Sequence, residues 1–449
     1  MIIFGDPQFR ATSQELLAGL RCQLTLTRRD DPDSLRALMI QAGQFEQAVS
    51  DSDANQRAHR SAGVLTNLAA AAFYATYAKS QMHLPPPGYS VNTALAHFGQ
   101  ALQSIPQLPG QSLTVKIPEG FEFYALYPEQ YCHSTLEWID DNPVSAPHHT
   151  VLVIGIRSIG TTLSALVMAT LKAAGWNSTR ITVRPVGSPF DRTVDLPPSS
   201  LVEARRAVVV DEGPGLSGSS MAAVARSWVS AGLQHADVSF LPGHARAPGQ
   251  AASAEIKRWW ARTTRYVIPA EELRWNGLSL TGSLAAKSKE LCDATQPFPH
   301  IQDLSGGLWR ESLYPDQTEY PPAAITFERL KFRCSADSRA SVFWKFAGLG
   351  SIRSPGQTCA SIALRRLTER AHKRWGPQPL GLFRGFLALP WIAGRPLSES
   401  DGGDPSVLRH IAHYLADVSG PPLAPLEQAD ALARITHLLY CNTKETLGD

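Results

Sequence analysis

The chain has 449 residues, of which 43% are hydrophobic and 18% are charged, and its formal net charge at pH 7 is +2. This length and apolar content are ample for two or three domains with buried cores. So small a net charge excludes a global field that would attract nucleic acid or an acidic membrane.

The six cysteines are scattered and show no C-x-x-C spacing, which argues against a zinc site or a disulfide framework and favours a reducing compartment. The first residues show no secretory pattern, and no run approaches the roughly 18 apolar residues of a membrane span. We therefore expect a cytoplasmic protein with no nucleic-acid and no membrane partner.

Residues 1–110 predict a helical N-terminal region. Residues 61–79 are rich in alanine and 94–105 repeat apolar residues at helical spacing. Residues 113–131 begin as an alternating strand and continue with Tyr124, Tyr127 and Tyr131. These rings could stack on a planar base, but packing of a small hood against the sheet is favoured because aromatic residues supply core area first.

Two strand–turn–helix units follow one another in the middle of the chain. Residues 150–156 predict a buried strand that ends in a polar turn at 157–162 before a helix at 163–174. Residues 179–186 predict a further strand, and the irregular stretch 187–200 after it has the length of a lid or binding loop. Arg184 precedes this stretch and Arg192 lies within it, and both could engage an anion.

The second unit is the most informative stretch of the sequence. The strand at 207–210 ends at Asp211 and Glu212, and a Gly/Ser turn then opens a helix at about Ser219. Such a turn binds phosphate because glycines let the backbone approach an anion and the first helical amides have no intrahelical acceptor. Because the carboxylates would repel a phosphate, they predict a ligand that also offers hydroxyls or a metal, and a ribose 5-phosphate meets both demands.

Two other interpretations of this turn stay open. The glycines at 213, 215 and 218 match the dinucleotide pattern G-x-G-x-x-G, which is a weak signal by itself. That pattern requires an acidic residue at the end of the next strand, whereas residues 237–241 run into Pro242-Gly243-His244. The turn could also be purely structural.

The strand, the two acids and the loop resemble the signature of the type I phosphoribosyltransferases, in which Thr-Gly-x-Thr binds the phosphate. Residues 217–220 read Ser-Gly-Ser-Ser, and the spacer 213–216 is one residue longer than in that family. The resemblance implies an α/β fold with a parallel-sheet phosphoribosyltransferase core. It also implies Mg²⁺ as cofactor, 5-phosphoribosyl 1-diphosphate (PRPP) and a small-molecule acceptor as ligands, and a homodimer as one expected state.

The resemblance assigns roles to individual residues. Asp211 and Glu212 would hold the ribose hydroxyls and face the developing cation, while the metal ligands stay unassigned. The 5-phosphate would bind Gly215, Leu216, Ser217, Gly218, Ser219 and Ser220, and the pyrophosphate would bind Arg157, Ser158, Gly160 and Arg184, beside Gly155.

The expected activity is transfer of the phosphoribosyl group to a nitrogen acceptor with release of pyrophosphate. The alternative is a non-catalytic regulatory protein that binds PRPP or a nucleotide at the same loop. His244, in the turn after the strand at 237–241, could contact the acceptor or the metal, although a lone histidine in such a turn is more often incidental.

The last third predicts an α+β module at 325–449, joined to a phosphoribosyltransferase-like domain at 111–270 by a linker at 271–324. Lys345 in a predicted strand and Glu369 on the next helix resemble the small lobe of aminoglycoside-phosphotransferase-like kinases, where such a pair holds nucleotide phosphates. No Gly-rich loop and no catalytic Asp and Asn accompany them, so kinase activity is disfavoured, and a non-catalytic module or an ordinary surface lysine is an adequate explanation of this stretch.

Overall fold

The computed structural model describes residues 7–106, 112–143, 150–323, 328–336 and 340–419, together with isolated positions between 425 and 440. These residues form a mixed α/β structure that contains one five-stranded parallel sheet and one five-stranded antiparallel sheet. The predicted α/β class is confirmed at this level.

Helices dominate the N-terminal region, as predicted. Helix starts here use side-chain caps: Asp31 accepts a hydrogen bond from the Asp33 amide ahead of Pro32, and Asn55 accepts one from the Ala58 amide. The elements are β1 (Gln8–Thr12), α1 (Ser13–Leu26), α2 (Pro32–Ser50), α3 (Gln56–Tyr77), α4 (Val91–Gln103), β2 (Ser112–Lys116, antiparallel to β1), α5 (Glu119–Glu122) and α6 (Glu129–Asp141).

The parallel sheet occupies the middle of the chain, and its strands lie in the order β4-β3-β7-β8-β9. The predicted strands at 150–156, 179–186, 207–210 and 237–241 are confirmed within a few residues. The elements are β3 (Thr150–Ile156), α7 (Ile159–Ala173), β4 (Ser178–Val183), β5 (Val186–Ser188), β6 (Asp191–Thr193), α8 (Pro198–Leu201), β7 (Ala204–Val210), α9 (Ser219–Ser230), β8 (Val238–Leu241), α10 (Ala254–Arg262) and β9 (Thr264–Arg265).

Both faces of the sheet are buried at its centre, which is why β3 is apolar at nearly every position and β7 ends in three valines, whereas the edge strands β4 and β9 carry polar residues. Side chains alternate between the faces along each strand. Val151 and Val153 of β3 join a core shared with α2, α3 and α7, whereas Leu152 and Ile154 pack on the opposite face with residues of α9 and α10.

The C-terminal sheet is antiparallel with the order β10-β11-β12-β16-β15. The stretch 271–324, treated above as a connection, contains two helices and a strand of this sheet, and Lys345 lies in a strand as predicted. The elements are α11 (Leu280–Leu291), β10 (His300–Asp303), α12 (Trp309–Leu313), β11 (Lys331–Ser335), β12 (Ser341–Phe346), β13 (Ile352–Ser354), β14 (Gln357–Thr358), α13 (Cys359–His372), β15 (Gly381–Phe383), β16 (Phe386–Pro390) and α14 (Pro405–Val418).

Segments next to the antiparallel sheet contact the N-terminal helices. The Gln44 side chain of α2 binds both backbone groups of Ile352 in β13, donating to the carbonyl at 3.1 Å and accepting from the amide at 2.8 Å. The amide of Arg384, in the turn between β15 and β16, donates to Asp33 Oδ2 at 2.8 Å. Apolar residues of the N-terminal helices (the helical layer) and of both sheets belong to one continuous core.

Within the ranges that the structure describes, no helix is both long and apolar enough to cross a bilayer.

Gly43 marks the place where α2 crosses α7 most closely. A Cβ at Gly43 would overlap Thr162 Oγ1 and lie 3.0 Å from Thr162 Cβ. Gly19 in α1 differs, since the nearest atom to its Cβ would be the Gly356 nitrogen at 3.9 Å.

We expect Gly43→Ala to lower the free energy of unfolding by about 1–3 kcal/mol because overpacking outweighs the gain in helix propensity. Gly19→Ala, the matched control, should raise it by about 0.5–1 kcal/mol. Urea unfolding measures both, and adding Thr162→Ala to Gly43→Ala should recover part of the loss. Equal stabilisation by both alanines would contradict the close crossing.

Candidate functional site

The carboxyl ends of β4, β3 and β7 lie side by side at one edge of the parallel sheet. Numbered along the chain, the parallel strands have the order 2-1-3-4-5, so the order reverses between β3 and β7. Open α/β sheets bind ligands at such a switch point, outside the carboxyl ends of the strands. The turn after β3 and the loop after β7, singled out separately in the sequence, therefore meet at the position where a ligand is expected.

The two acids after β7 sit at this switch point. The Asp211 carbonyl accepts a hydrogen bond from the Tyr131 hydroxyl at 2.7 Å. Glu212 Oε2 accepts one from the Gly120 amide at 3.1 Å, and the Glu212 carbonyl accepts one from the Gly243 amide at 3.0 Å. Burial, and then the charges of Asp211 and Glu212, raise the pKa of Tyr131 far above its ordinary value. Both acids thus lie close to one buried hydroxyl: α6 and the turn after β8 bind their backbone carbonyls, and α5 binds the Glu212 carboxylate.

The Gly/Ser loop adopts the conformation that its glycines allow. Gly215 and Gly218 have φ of +58° and +63°, in the left-handed region that glycine tolerates. Gly218 occupies the N-cap of α9 without a side-chain cap. The Ser217 hydroxyl instead lies 3.0 Å from the Ser219 hydroxyl and accepts a hydrogen bond from the Ser219 amide at 3.3 Å. The loop therefore presents a helix N-terminus next to the acids.

Neighbouring segments cover this loop. The Ser219 hydroxyl is buried and donates to the Pro189 carbonyl, between β5 and β6, at 2.6 Å. On the other side, a Cβ at Gly218 would lie 2.7 Å from Pro248 Cγ, and the Gly249 amide donates to the Leu216 carbonyl at 2.8 Å. The residues predicted to bind phosphate are thus covered on one side by the stretch 187–200, which the sequence predicts to be a lid, and on the other side by residues 248–249.

A separate groove of about 290 Å³ lies away from the loop, beside α6. None of the residues predicted to bind phosphate lines it; its lining is His83, His133, Leu136, Glu137, Asp140 and Ile268. The described part of the chain shows no group of three His, Cys, Asp or Glu side chains arranged to hold a metal ion. The groove is thus separate from the residues predicted to bind phosphate.

The turn after β3 is packed tightly against the end of β7. A Cβ at Gly155 would overlap the Gly160 carbonyl and Ser164 Oγ, and a Cβ at Gly160 would lie 2.5 Å from the Val210 carbonyl. These contacts explain glycine at both positions. Between them Ser158 has φ of +117°, and its buried hydroxyl has no hydrogen-bond partner among the described residues. Strained backbone of this kind is concentrated at functional sites.

Arg157 and Arg184 come together at the ends of β3 and β4. The parallel register pairs Ile156 with Val183, and the Arg157 amide extends the ladder by donating to the Val183 carbonyl at 2.8 Å. Both guanidinium groups bind the Asp51 carboxylate at the end of α2: Arg157 Nη1 lies 3.1 Å from Oδ1, and Arg184 Nη2 contacts Oδ2. Arg184 Nη1 also donates to the Arg157 carbonyl at 2.7 Å.

The predicted accessory residues have different surroundings. Tyr127 and Tyr131 are 0% and 1% exposed, so they pack in the core, whereas Tyr124 is 40% exposed. Burial, and then the charges of Glu119 and Glu212, raise the pKa of Tyr124 to about 12. Tyr124 is thus the tyrosine of the three that can reach a ligand beside the acids.

Two further predicted residues lie in other parts of the structure. The Arg192 carbonyl accepts from Arg226 Nη2 at 2.6 Å, which ties the β5–β6 hairpin to α9. Glu369 pairs with Arg365 at 3.9 Å, and the described contacts include none between Glu369 and Lys345. The Lys–Glu ion pair that the resemblance to kinases implies is therefore not seen among the described residues.

Sequence reasoning missed Asp51 and Gly120, which contact the predicted site from elsewhere in the chain. Asp51 precedes Arg157 by 106 residues, and no local pattern links such distant positions. The aspartate at the end of a helix was the available signal, because acids are unfavourable near a helix C-terminus unless they have a partner.

The chain matches no protein-family model, no curated protein sequence and no solved structure.

Ser158 gives a direct test of backbone strain in the β3–α7 turn. Ser158→Gly and Ser158→Ala remove the same hydroxyl, but only glycine adopts the positive φ freely. We expect the glycine variant to be more stable than the alanine variant by about 1–3 kcal/mol in urea unfolding. Equal stability of the two variants would show that the turn carries no strain.

His244 predicts a pH dependence of stability. Burial, and secondarily the charge of Arg246, lower the pKa of His244 to about 4. In the unfolded chain the pKa of a histidine is about 6.5. As pH falls between these values the unfolded chain binds a proton that the folded chain does not, so stability is lost.

We expect urea unfolding of His244→Gln to show a shallower loss of stability from pH 7 to pH 4.5 than the wild type, and no difference in slope between pH 7 and pH 8. Part of the slope will remain, because burial, and then the charge of His133's neighbour His83, also lower the pKa of His133 to about 4. An unchanged slope in the variant would contradict the assignment to His244.

Proposed function

We propose that the protein is a phosphoribosyltransferase that moves the phosphoribosyl group of PRPP to a nitrogen acceptor and releases pyrophosphate. One observation carries the proposal: the acid–Gly/Ser loop after β7 and the arginine-bearing turn after β3 lie next to each other at the switch point of a parallel sheet. A ligand with a phosphate at one end and a diphosphate at the other needs two such anion sites flanking a pair of carboxylates.

Each group has a separate task in this proposal. The amides and hydroxyls of residues 215–220 hold the 5-phosphate at the start of α9. Asp211 and Glu212 accept hydrogen bonds from the ribose 2- and 3-hydroxyls. Arg157 and Arg184, with the turn at Ser158 and Gly160, bind the diphosphate, which suits the planar guanidinium groups.

The reaction breaks the bond between ribose C1 and a diphosphate oxygen, whose electron pair leaves with pyrophosphate, and forms a bond from C1 to the acceptor nitrogen, which then loses a proton. Positive charge develops on the ring as the leaving group departs. Fixed carboxylates beside the ring stabilise that charge electrostatically, and the arginines stabilise the growing negative charge on pyrophosphate.

Mg²⁺ fits the donor set only as a partner of the substrate. Asp211 and Glu212 supply oxygen atoms, but the described residues form no three-ligand cluster. Mg²⁺ commonly binds through one or two carboxylates together with phosphate oxygens and water. When bound with the diphosphate it would spread the charge of the leaving group.

Substrate entry requires movement of the β5–β6 hairpin in this proposal, because the Pro189 carbonyl occupies the Ser219 hydroxyl. The hairpin is held to α9 by contacts that include the Arg226–Asp191 ion pair at 3.2 Å, in which Asp191 is 75% exposed, and the hydrogen bond from Arg226 Nη2 to the Arg192 carbonyl at 2.6 Å. Exposed ion pairs contribute little to stability. In this proposal the hydrogen bonds to the Pro189 and Arg192 carbonyls are therefore the contacts that opening of the hairpin must break.

A second candidate function is a PRPP or nucleotide sensor without turnover. The enclosure of the loop by Pro189 and Pro248 and the extra residue in the spacer 213–216 favour it. Both candidates need the same binding groups, so a binding measurement and a turnover measurement are required together.

The test is pyrophosphate release from PRPP and Mg²⁺ in the presence of a panel of bases and amines. We expect release with at least one acceptor. Asp211→Asn with Glu212→Gln should reduce the rate by about 100-fold or more, the usual effect of losing electrostatic stabilisation of a transition state. Glu203→Gln, which changes an acid just before β7, is the matched control and should keep wild-type activity.

Calorimetric binding of PRPP to the wild type completes the experiment. Binding without release under any acceptor would support the sensor and exclude the transferase. Unchanged turnover in the Asp211→Asn, Glu212→Gln variant would remove both acids from the reaction.

A further inference from the structure

Asp51 occupies the place where an anion would meet Arg157 and Arg184. Arg184 binds both of its carboxylate oxygens, with Nε on Oδ1 at 3.2 Å and Nη2 on Oδ2, and Arg157 Nη1 also binds Oδ1, at 3.1 Å. One phosphate group presents oxygens to two arginines in the same way. The carboxylate thus stands in the position of a phosphate.

The charges in this cluster do not balance. Two guanidinium groups share one carboxylate, which leaves a surplus of one positive charge at the sheet edge. Arg180, also in this part of the chain, shows the balanced arrangement: it pairs with Glu46 alone, and the two side chains are 4% and 6% exposed. Arg157, Arg184 and Asp51 are instead 21%, 25% and 21% exposed, so solvent and ligands can reach them.

A side chain of α2 itself also holds the Asp51 carboxylate in place. Gln47 Nε2 donates to Asp51 Oδ2 at 2.8 Å from the previous turn of α2. Burial raises the pKa of Asp51, but the hydrogen bonds and charges of Arg184, Gln47 and Arg157 lower it by more, so the net shift is downward. The group is a carboxylate at neutral pH and competes with any anion for the two arginines.

We propose that Asp51 is a built-in competitor at the pyrophosphate subsite, which an incoming diphosphate must displace from Arg157 and Arg184. The inference rests on the proposed pyrophosphate site and adds a residue of the N-terminal helices to it. Displacement frees the end of α2 from the sheet edge, so occupancy of the subsite is coupled to the helical layer. The carboxylate weakens diphosphate binding and thereby assists its release.

The probe is inorganic pyrophosphate with Mg²⁺, titrated into the full-length protein by calorimetry. We expect Asp51→Asn to bind pyrophosphate about ten-fold more tightly than the wild type. Asp53→Asn is the matched control: it removes the same charge two residues away, where the described contacts show no ion pair, and should change the affinity little. Thermal unfolding of each variant reports whether it is folded.

A double-mutant cycle tests whether Asp51 acts through the arginines. Arg184→Gln should weaken pyrophosphate binding, and adding Asp51→Asn to it should restore less affinity than Asp51→Asn gives in the wild type. Full additivity would overturn the inference, as would equal or weaker binding by Asp51→Asn or no detectable pyrophosphate binding to either protein.

Failure of the proposed transferase is distinguishable from failure of this inference. Asp51-dependent binding of pyrophosphate in a protein that never releases pyrophosphate from PRPP would uphold the subsite and exclude the transfer. If the protein turns over PRPP but Asp51→Asn does not change its affinity for pyrophosphate, the proposed transferase activity is upheld and the proposed role of Asp51 as a competitor is excluded.

Discussion

The parallel pairing of β3 with β4 on one side and with β7 on the other is the constraint on which the candidate site depends. Register pairs Ile156 with Val183 and Gly155 with Val210, so three strands end at the same edge. Everything chemically distinctive in this region follows directly after a strand end. The hydrogen bonds between β4, β3 and β7 therefore position these residues, and short turns after the strands are enough to bring two arginines and two acids together.

Much of this arrangement could be predicted from the sequence because β3 and the end of β7 are apolar on both faces. A run such as residues 150–156 is recognisable when helices cover both sides of a sheet, and the turns after it stand out as polar. The acids and the Gly/Ser loop after β7 were visible for the same reason. Local pattern placed the ends of β3 and β7 and the start of α9 correctly, whereas α7 starts at Ile159, four residues before its predicted start at 163.

The rest depended on tertiary contacts. Asp51 is brought to Arg157 by the packing of α2 on α7. In the sequence, the close approach of these two helices at Gly43 is visible only as a glycine within a predicted helical region. The residues 271–324 lack strong periodicity because β10 is a short edge strand with exposed side chains. Near the C-terminal end of the antiparallel sheet the chain reverses at Arg384, whose φ is +50°, and β15 pairs with β16.

The shared helical layer has a consequence for how the molecule divides. Gln44 satisfies both backbone groups of Ile352 with one side chain, as a neighbouring strand would, and Asp33 receives the Arg384 amide. A chain cut before the antiparallel sheet would remove these partners from Gln44 and Asp33 and would expose part of the shared core. The last third of the protein is therefore better regarded as a part of the fold that supports the parallel sheet than as an independent module attached to it.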